Sequence, residues 1–136
     1  MASTAEKGAP SPAREIKTTD LNPVLSAGED EEQIVPALQS LLRAGWTLDT
    51  AGTGVSKTFF FKTYFKGISF TNLVAAESAT KKHHPTMTVK FGSVHVHWTT
   101  HRPAGLSMKD LELAAHCDRG AELVGAVAQG EGQKCS

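Results

Sequence analysis

Two stretches of strict alternation, Thr86–Phe91 and Ser93–Thr100, meet at Gly92–Ser93 and constrain the fold of this chain more than any other feature. In the first, Met87, Val89 and Phe91 face one way and Thr86, Thr88 and Lys90 the other. In the second, Val94, Val96 and Trp98 oppose His95, His97 and Thr99. A period of two marks a strand with one dry and one wet face. A two-residue, glycine-containing joint between such strands marks a hairpin. An antiparallel sheet of this kind tolerates water on one side only, so the other side requires helices.

The covering helices are legible on either side of the hairpin. Glu29, Asp30, Glu31 and Glu32 open a segment in which Ile34, Leu38, Leu41 and Leu42 share a stripe, with Pro36 in or near its first turn and Gly45 closing it. Trp46–Asp49 reads as a short strand, Gly52-Thr53-Gly54 as a turn, and Ser56–Tyr64 as a second strand rich in Thr and aromatics. Helical spacing returns from Phe65 to about Thr80, with Phe65, Ile68, Leu73 and Ala76 available for packing. Ser107-Met108-Lys109-Asp110 has the Ser-x-x-acid form of a helix start. Leu111, Leu113, Ala114, Cys117, Ala121, Leu123 and Val124 carry that helix to about Ala128, locally weakened by Gly120 and Gly125. The expected order is α-β-β-α-β-β-α. That is an α+β fold with a four-stranded antiparallel sheet and helices packed on one face.

At 136 residues the chain has room for one domain. It is expected over residues 29–128. Met1 to Gly28, broken by Pro10, Pro12 and Pro23, reads as a disordered tail, and Gln129 to Ser136 as a flexible one. Fourteen Lys and Arg balance fourteen Asp and Glu, which argues against a domain that grips nucleic acid directly through phosphates. No apolar run approaches the roughly 18 residues of a membrane span, so no membrane partner is expected. Two cysteines, Cys117 and Cys135, are too few for a disulfide scaffold, and no secretory signal is visible. The expected compartment is the cytoplasm, with the nucleus as a second candidate.

Six histidines are the compositional oddity, and five fall between His83 and His101. Pro85 drives His84 out of the α region and ends the preceding helix there. If the hairpin turns at Gly92–Ser93, residues before Thr86 lie across from those after Thr100, and His83, His84 and His101 converge at one end of the sheet. Converging imidazoles suit proton transfer near neutrality. A three-histidine metal site is the rival, weakened by the absence of His-Glu-x-x-His or paired-cysteine spacing. His95 and His97 read as surface or interface residues, His116 as structural, and Asp110 first as the capping acid of its helix. Phe59-Phe60-Phe61 reads as core rather than a stacking platform, because no basic groove accompanies it.

In order and spacing, His83-His84-Pro85, Val94-His95, Thr99-Thr100-His101, Ala104-Gly105-Leu106-Ser107 and Asp110 resemble the signature of the pterin-4a-carbinolamine dehydratases. Gly45-Trp46 and Phe59-x-Phe61-Lys62 are similar too, and the resemblance spans about Ile34 to Val127. It implies the fold derived above and the removal of water from 4a-hydroxytetrahydrobiopterin to give quinonoid dihydropterin, which recycles the cofactor of aromatic amino acid hydroxylases. By that resemblance no cofactor or metal takes part. His83 and His101 would form the acid–base pair, and His84, Pro85, Met87 and Thr100 would contact the pterin. Asp110 would support the site near His101. It further implies a homo-oligomer, dimer or tetramer, for which the apolar stripe of the Phe65–Thr80 helix is the expected contact. The competing readings are a helix-mediated dimerisation cofactor of a transcription factor, a role vertebrate relatives hold, and a histidine metal site. Two positions depart from the family pattern: Met87 stands where many members carry Trp, and Ala79 where a polar residue is common.

Overall fold

A computed structural model describes residues 22–134. In chain order its elements are α1 (Glu31–Arg43), β1 (Thr47–Leu48), β2 (Gly54–Phe60), α2 (Tyr64–Lys81), β3 (Thr86–Lys90), β4 (Ser93–His101), β5 (Ala104–Gly105) and α3 (Met108–Val124). The antiparallel sheet runs β1-β2-β4-β3, and β5 hooks back onto the end of β4. The α+β class, the four main strands and the one-sided helical cover agree with the pattern in the sequence. The fifth strand is an addition: a pair this short has no periodicity to read.

Alternation in β4 is realised as expected, with Val94, Val96 and Trp98 fully buried under the helices. Opposite them Val55 and Phe59 of β2, Ile34 and Leu38 of α1, Phe70 and Val74 of α2, and Leu111, Ala114 and Cys117 of α3 complete one core. The hairpin register is Lys90↔Ser93 through Thr86↔His97, so the two-residue loop is Phe91–Gly92 and Ser93 already belongs to the strand. β3 is an edge strand, and Val89 and Phe91, assigned to its dry face, are exposed.

Boundary shifts have local causes. Thr63 accepts a hydrogen bond from the Lys66 N–H and caps α2, so Tyr64 starts a helix rather than ending a strand. The cap of α1 is Asp30, which places Pro36 inside the helix, past its first turn. In α2 the buried stripe is Gly67, Phe70, Val74 and Ser78, whereas Phe65, Leu73 and Ala76 are exposed. Apolar residues ring this helix, so period alone selects no face; Gly67 and Ser78 are small enough to lie against the sheet side. Leu123, read as a packing position, is likewise exposed.

Residues 24–26, assigned to the N-terminal tail by composition, pack on the domain. Ser26 is buried, its N–H donates to the Leu106 carbonyl, and the Leu106 N–H donates to Val24. Gly105 permits this approach: its φ is +136°, and a Cβ there would lie 2.6 Å from the Ser26 nitrogen. At the other end, Val127 and Gln133 donate to the carbonyls of Phe60 and Phe61. The expectations for residues 1–21, and for Cys135, fall outside the described residues.

Candidate active site

The start of α3 organises the site. Ser107 is its N-cap and Asp110 its third residue, and the expected capping box is present. The Ser107 hydroxyl accepts from the Asp110 N–H, and Asp110 Oδ2 accepts from the Ser107 N–H at 3.0 Å. A further orphan donor of this helix end, the Met108 N–H, is satisfied by Glu29 Oε1 at 2.9 Å. Asp110 is completely buried. Such a carboxylate survives only when its lone pairs are occupied, and here they are. Thr100 Oγ1 donates to Oδ2 at 2.8 Å, the Ser107 hydroxyl lies 3.2 Å from the same oxygen, and His83 Nε2 lies 2.5 Å from Oδ1.

His83 reaches this carboxylate because α2 ends on a left-handed residue. Lys82 has φ 56°, its N–H donates to Ala79, and the His83 N–H donates to the Ser78 carbonyl. The chain turns inward, and the His83 ring stacks on Trp98 with centroids 5.8 Å apart and planes at 12°. A carboxylate only accepts, so Nε2 carries the hydrogen and Nδ1 the lone pair. The resemblance placed Asp110 in support of the site near His101; the imidazole it holds is that of His83, since the first turn of α3 lies against the end of α2.

A cavity of about 430 Å³ opens beside this pair, with Lys82, His83, His84, Pro85 and Thr86 on one wall and Thr100, His101 and Arg102 on the other. That volume falls within the usual range for small-molecule sites, roughly 300–1,000 Å³. Thus His83, His84 and His101 do line one space. The convergence survives the shifted hairpin turn, because continuing the observed register brings His83 level with Thr100. His84 and His101 are exposed, while the His83 side chain keeps 14% of its surface. Thr100 lines the cavity, but its hydroxyl is committed to Asp110 and to Ser107, 2.6 Å away.

Met87 is not among the lining residues. It pairs with Val96 in the register and packs against the core, because alternation from Thr86 turns it to the helical side. Sequence reasoning missed Lys82, Thr86, Arg102 and the ring of Trp98. The first three adjoin the histidines it had selected, and Trp98 was already assigned to the dry face. Among the described residues no three His, Cys, Asp or Glu side chains gather as a metal-binding group, and no helix is long and apolar enough to cross a membrane.

The remaining histidines lie elsewhere. His95 is exposed on the open sheet face, with Nδ1 2.8 Å from Thr58 Oγ1. His97 Nε2 lies 3.1 Å from Asp49 Oδ2. Burial works against ionisation of Asp49, yet the hydrogen bonds from His97 and from the backbone at Thr53, Gly52 and Gly54 outweigh it and hold the carboxyl below its ordinary 3.8. His116 sits partly buried on α3, its Nδ1 without a hydrogen-bond partner among the described residues. Cys117 is a buried free thiol, and desolvation pushes its pKa up to about 12.

Comparison with known proteins follows the same residues. The family model described as pterin 4 alpha carbinolamine dehydratase matches residues 28–120. A protein of Natronomonas pharaonis, provisionally named a pterin-4-alpha-carbinolamine dehydratase, is 35% identical over 85 residues, which are 62% of this chain and 90% of that one. The Drosophila melanogaster pterin-4-alpha-carbinolamine dehydratase is 34% identical over 95 residues, which are 70% of this chain and 50% of its own length. Among solved structures, a transcriptional coactivator/pterin dehydratase from Brucella melitensis aligns with a TM-score of 0.61 at 24% identity, covering 68% of this chain and 96% of that one. A pterin dehydratase-like RuBisCO assembly factor of the alpha-carboxysome aligns with a TM-score of 0.51 at 22% identity, covering 57% and 89%. These two likenesses concern the fold.

Proposed function

Because this chain belongs to the pterin-4a-carbinolamine dehydratase family, we propose that it removes water from a 4a-hydroxytetrahydropterin by histidine acid–base catalysis. The observation that carries this reading is the His83 imidazole, bonded to fully buried Asp110 within the cavity that His84 and His101 share. The reaction needs two proton movements. One group protonates the 4a-hydroxyl, so that the C4a–O bond breaks and water leaves; another takes the N5 proton, whose electron pair becomes the C4a=N5 double bond. His83 suits the second role. Asp110 holds its Nε2–H and stabilises the imidazolium that forms, leaving Nδ1 to accept the proton. His101, exposed at the mouth, exchanges protons with water and suits the first. His84 is assigned to contact with the ring system.

The test is spectrophotometric decay of a 4a-hydroxytetrahydropterin with wild type, with His83→Ala and without protein. Wild type accelerates the decay, and His83→Ala loses about 10²-fold or more of that acceleration, the contribution typical of one positioned imidazole. Equal decay in all three samples overturns the proposal. A second reading, docking of a protein partner on α2, has the exposed Phe65 and Leu73 in its favour. It needs none of the histidines, so it is separated from the first by the same variant.

A further inference from the structure

The cavity wall is unusually cationic. Lys82 and Arg102 both line it. Among the described residues neither side chain has a hydrogen-bonding or ionic partner, and Lys57 and His97 show that carboxylates elsewhere are engaged. Asp110, the carboxylate bonded to the lining residues His83 and Thr100, is fully buried and committed to them and to Ser107. Among the described residues no acidic one lines the space. Lys82 moreover occupies the left-handed region at φ 56°, where a side chain costs roughly 1–2 kcal/mol and where Gly or Asn fits more easily. Outliers of this kind concentrate at functional sites.

From these observations we infer that the preferred substrate carries an anionic group on the side chain next to N5 of the pterin ring, and that Lys82 and Arg102 bind that group. The inference rests on the pterin reading above and names the substrate class within it. Its geometry follows from covalent connectivity. N5 gives up its proton to an imidazole, and the carbon bonded to N5 bears the ring's variable substituent. Lys82 directly precedes His83 and Arg102 directly follows His101, with consecutive Cα atoms about 3.8 Å apart. Both cations line the cavity that the imidazoles share, so a substituent beside the reacting nitrogen lies in the space that Lys82 and Arg102 face, neither of them paired among the described residues. A neutral polyol chain there leaves both charges without a partner. A phosphate ester or carboxylate satisfies them, and arginine presents a planar fork that matches either group.

Binding is measured by quenching of pterin fluorescence with two pairs of stable probes: neopterin against neopterin 3′-phosphate, and 6-hydroxymethylpterin against 6-carboxypterin. At low ionic strength the anionic member of at least one pair binds about tenfold tighter, a difference of about 1.4 kcal/mol. The pair that shows the gain identifies the source of the charge. The gain shrinks toward unity in 1 M salt, where screening acts within about 3 Å. It also disappears in the Lys82→Asn/Arg102→Gln double variant, while Lys82→Arg/Arg102→Lys keeps it. Asn at position 82 tolerates the left-handed backbone, so the double variant removes charge without straining the turn. Equal affinity within both pairs overturns the inference and leaves the pterin reading intact. A gain that persists in the double variant overturns the assignment to these residues. Failure of all four probes to bind removes the pterin reading itself, and the inference with it.

Discussion

Replacing Asp110 by Asn tests the central pair with almost no change of shape. The carboxylate accepts from the Ser107 N–H, from Thr100 Oγ1 and from His83 Nε2. An amide placed with its oxygen at Oδ2 keeps the first two as neutral bonds. Its NH2 then faces His83 Nε2, which must give up its hydrogen and accept. The proton moves to Nδ1, and the nitrogen proposed to take the N5 proton is blocked. Weakening charge-assisted bonds to neutral ones costs about 1 kcal/mol each, and losing the negative charge at the α3 N-terminus about 0.5 kcal/mol more. Relief of the buried charge offsets part of this. The net expected loss is about 2 kcal/mol, or about 8 °C in melting temperature for a domain of this size. Turnover of the 4a-hydroxytetrahydropterin falls by about 10²- to 10⁴-fold. Nitrogen-15 correlation spectra of the His83 ring separate the two effects: Nε2–H in the wild type, Nδ1–H in the variant. An unchanged tautomer with turnover within twofold of wild type would refute the reasoning. Asp110→Ala, which strands the Ser107 N–H and the imidazole, lowers the melting temperature further; unchanged melting would refute the capping account.

Two further expectations rest on groups away from the site. Asp49 titrates below its ordinary 3.8 in the fold, so its contribution to stability is present above that value and is lost as pH falls through the lowered one. Wild type therefore loses more stability than Asp49→Asn between about pH 5 and pH 2, and a constant gap between the two melting curves contradicts this. Cys117, with its pKa raised from 9.0 to about 12 by burial, stays inert to a disulfide reagent at neutral pH in a Cys135→Ser background and reacts once unfolded. Because the fold holds that proton where the unfolded chain releases it, stability declines as pH rises from about 9 toward 12; prompt labelling of the native protein contradicts the burial.

Periodicity determined the dry face of β4 and the stripe of α1, and with short local motifs the hairpin and the cap of α3, because each depends on neighbours within a turn or a strand pair. The same locality explains which expectations failed. α2 carries apolar residues around its circumference, and only the sheet decided that Phe70 and Val74, rather than Phe65 and Leu73, go inward. β5 pairs with the end of β4 over only two residues, too few to show a period, and the packing of residues 24–26 arises from contacts some 80 positions apart in the chain, such as that of Ser26 with Leu106. The histidines were legible as a group, since one hairpin places His83, His84 and His101 at one end of the sheet. Which imidazole Asp110 holds was not. That choice depends on the end of α2 meeting the start of α3, a packing between helices with 26 residues between them (Lys81 to Met108), and such a contact is set by the shape of a shared core rather than by any local pattern of residues.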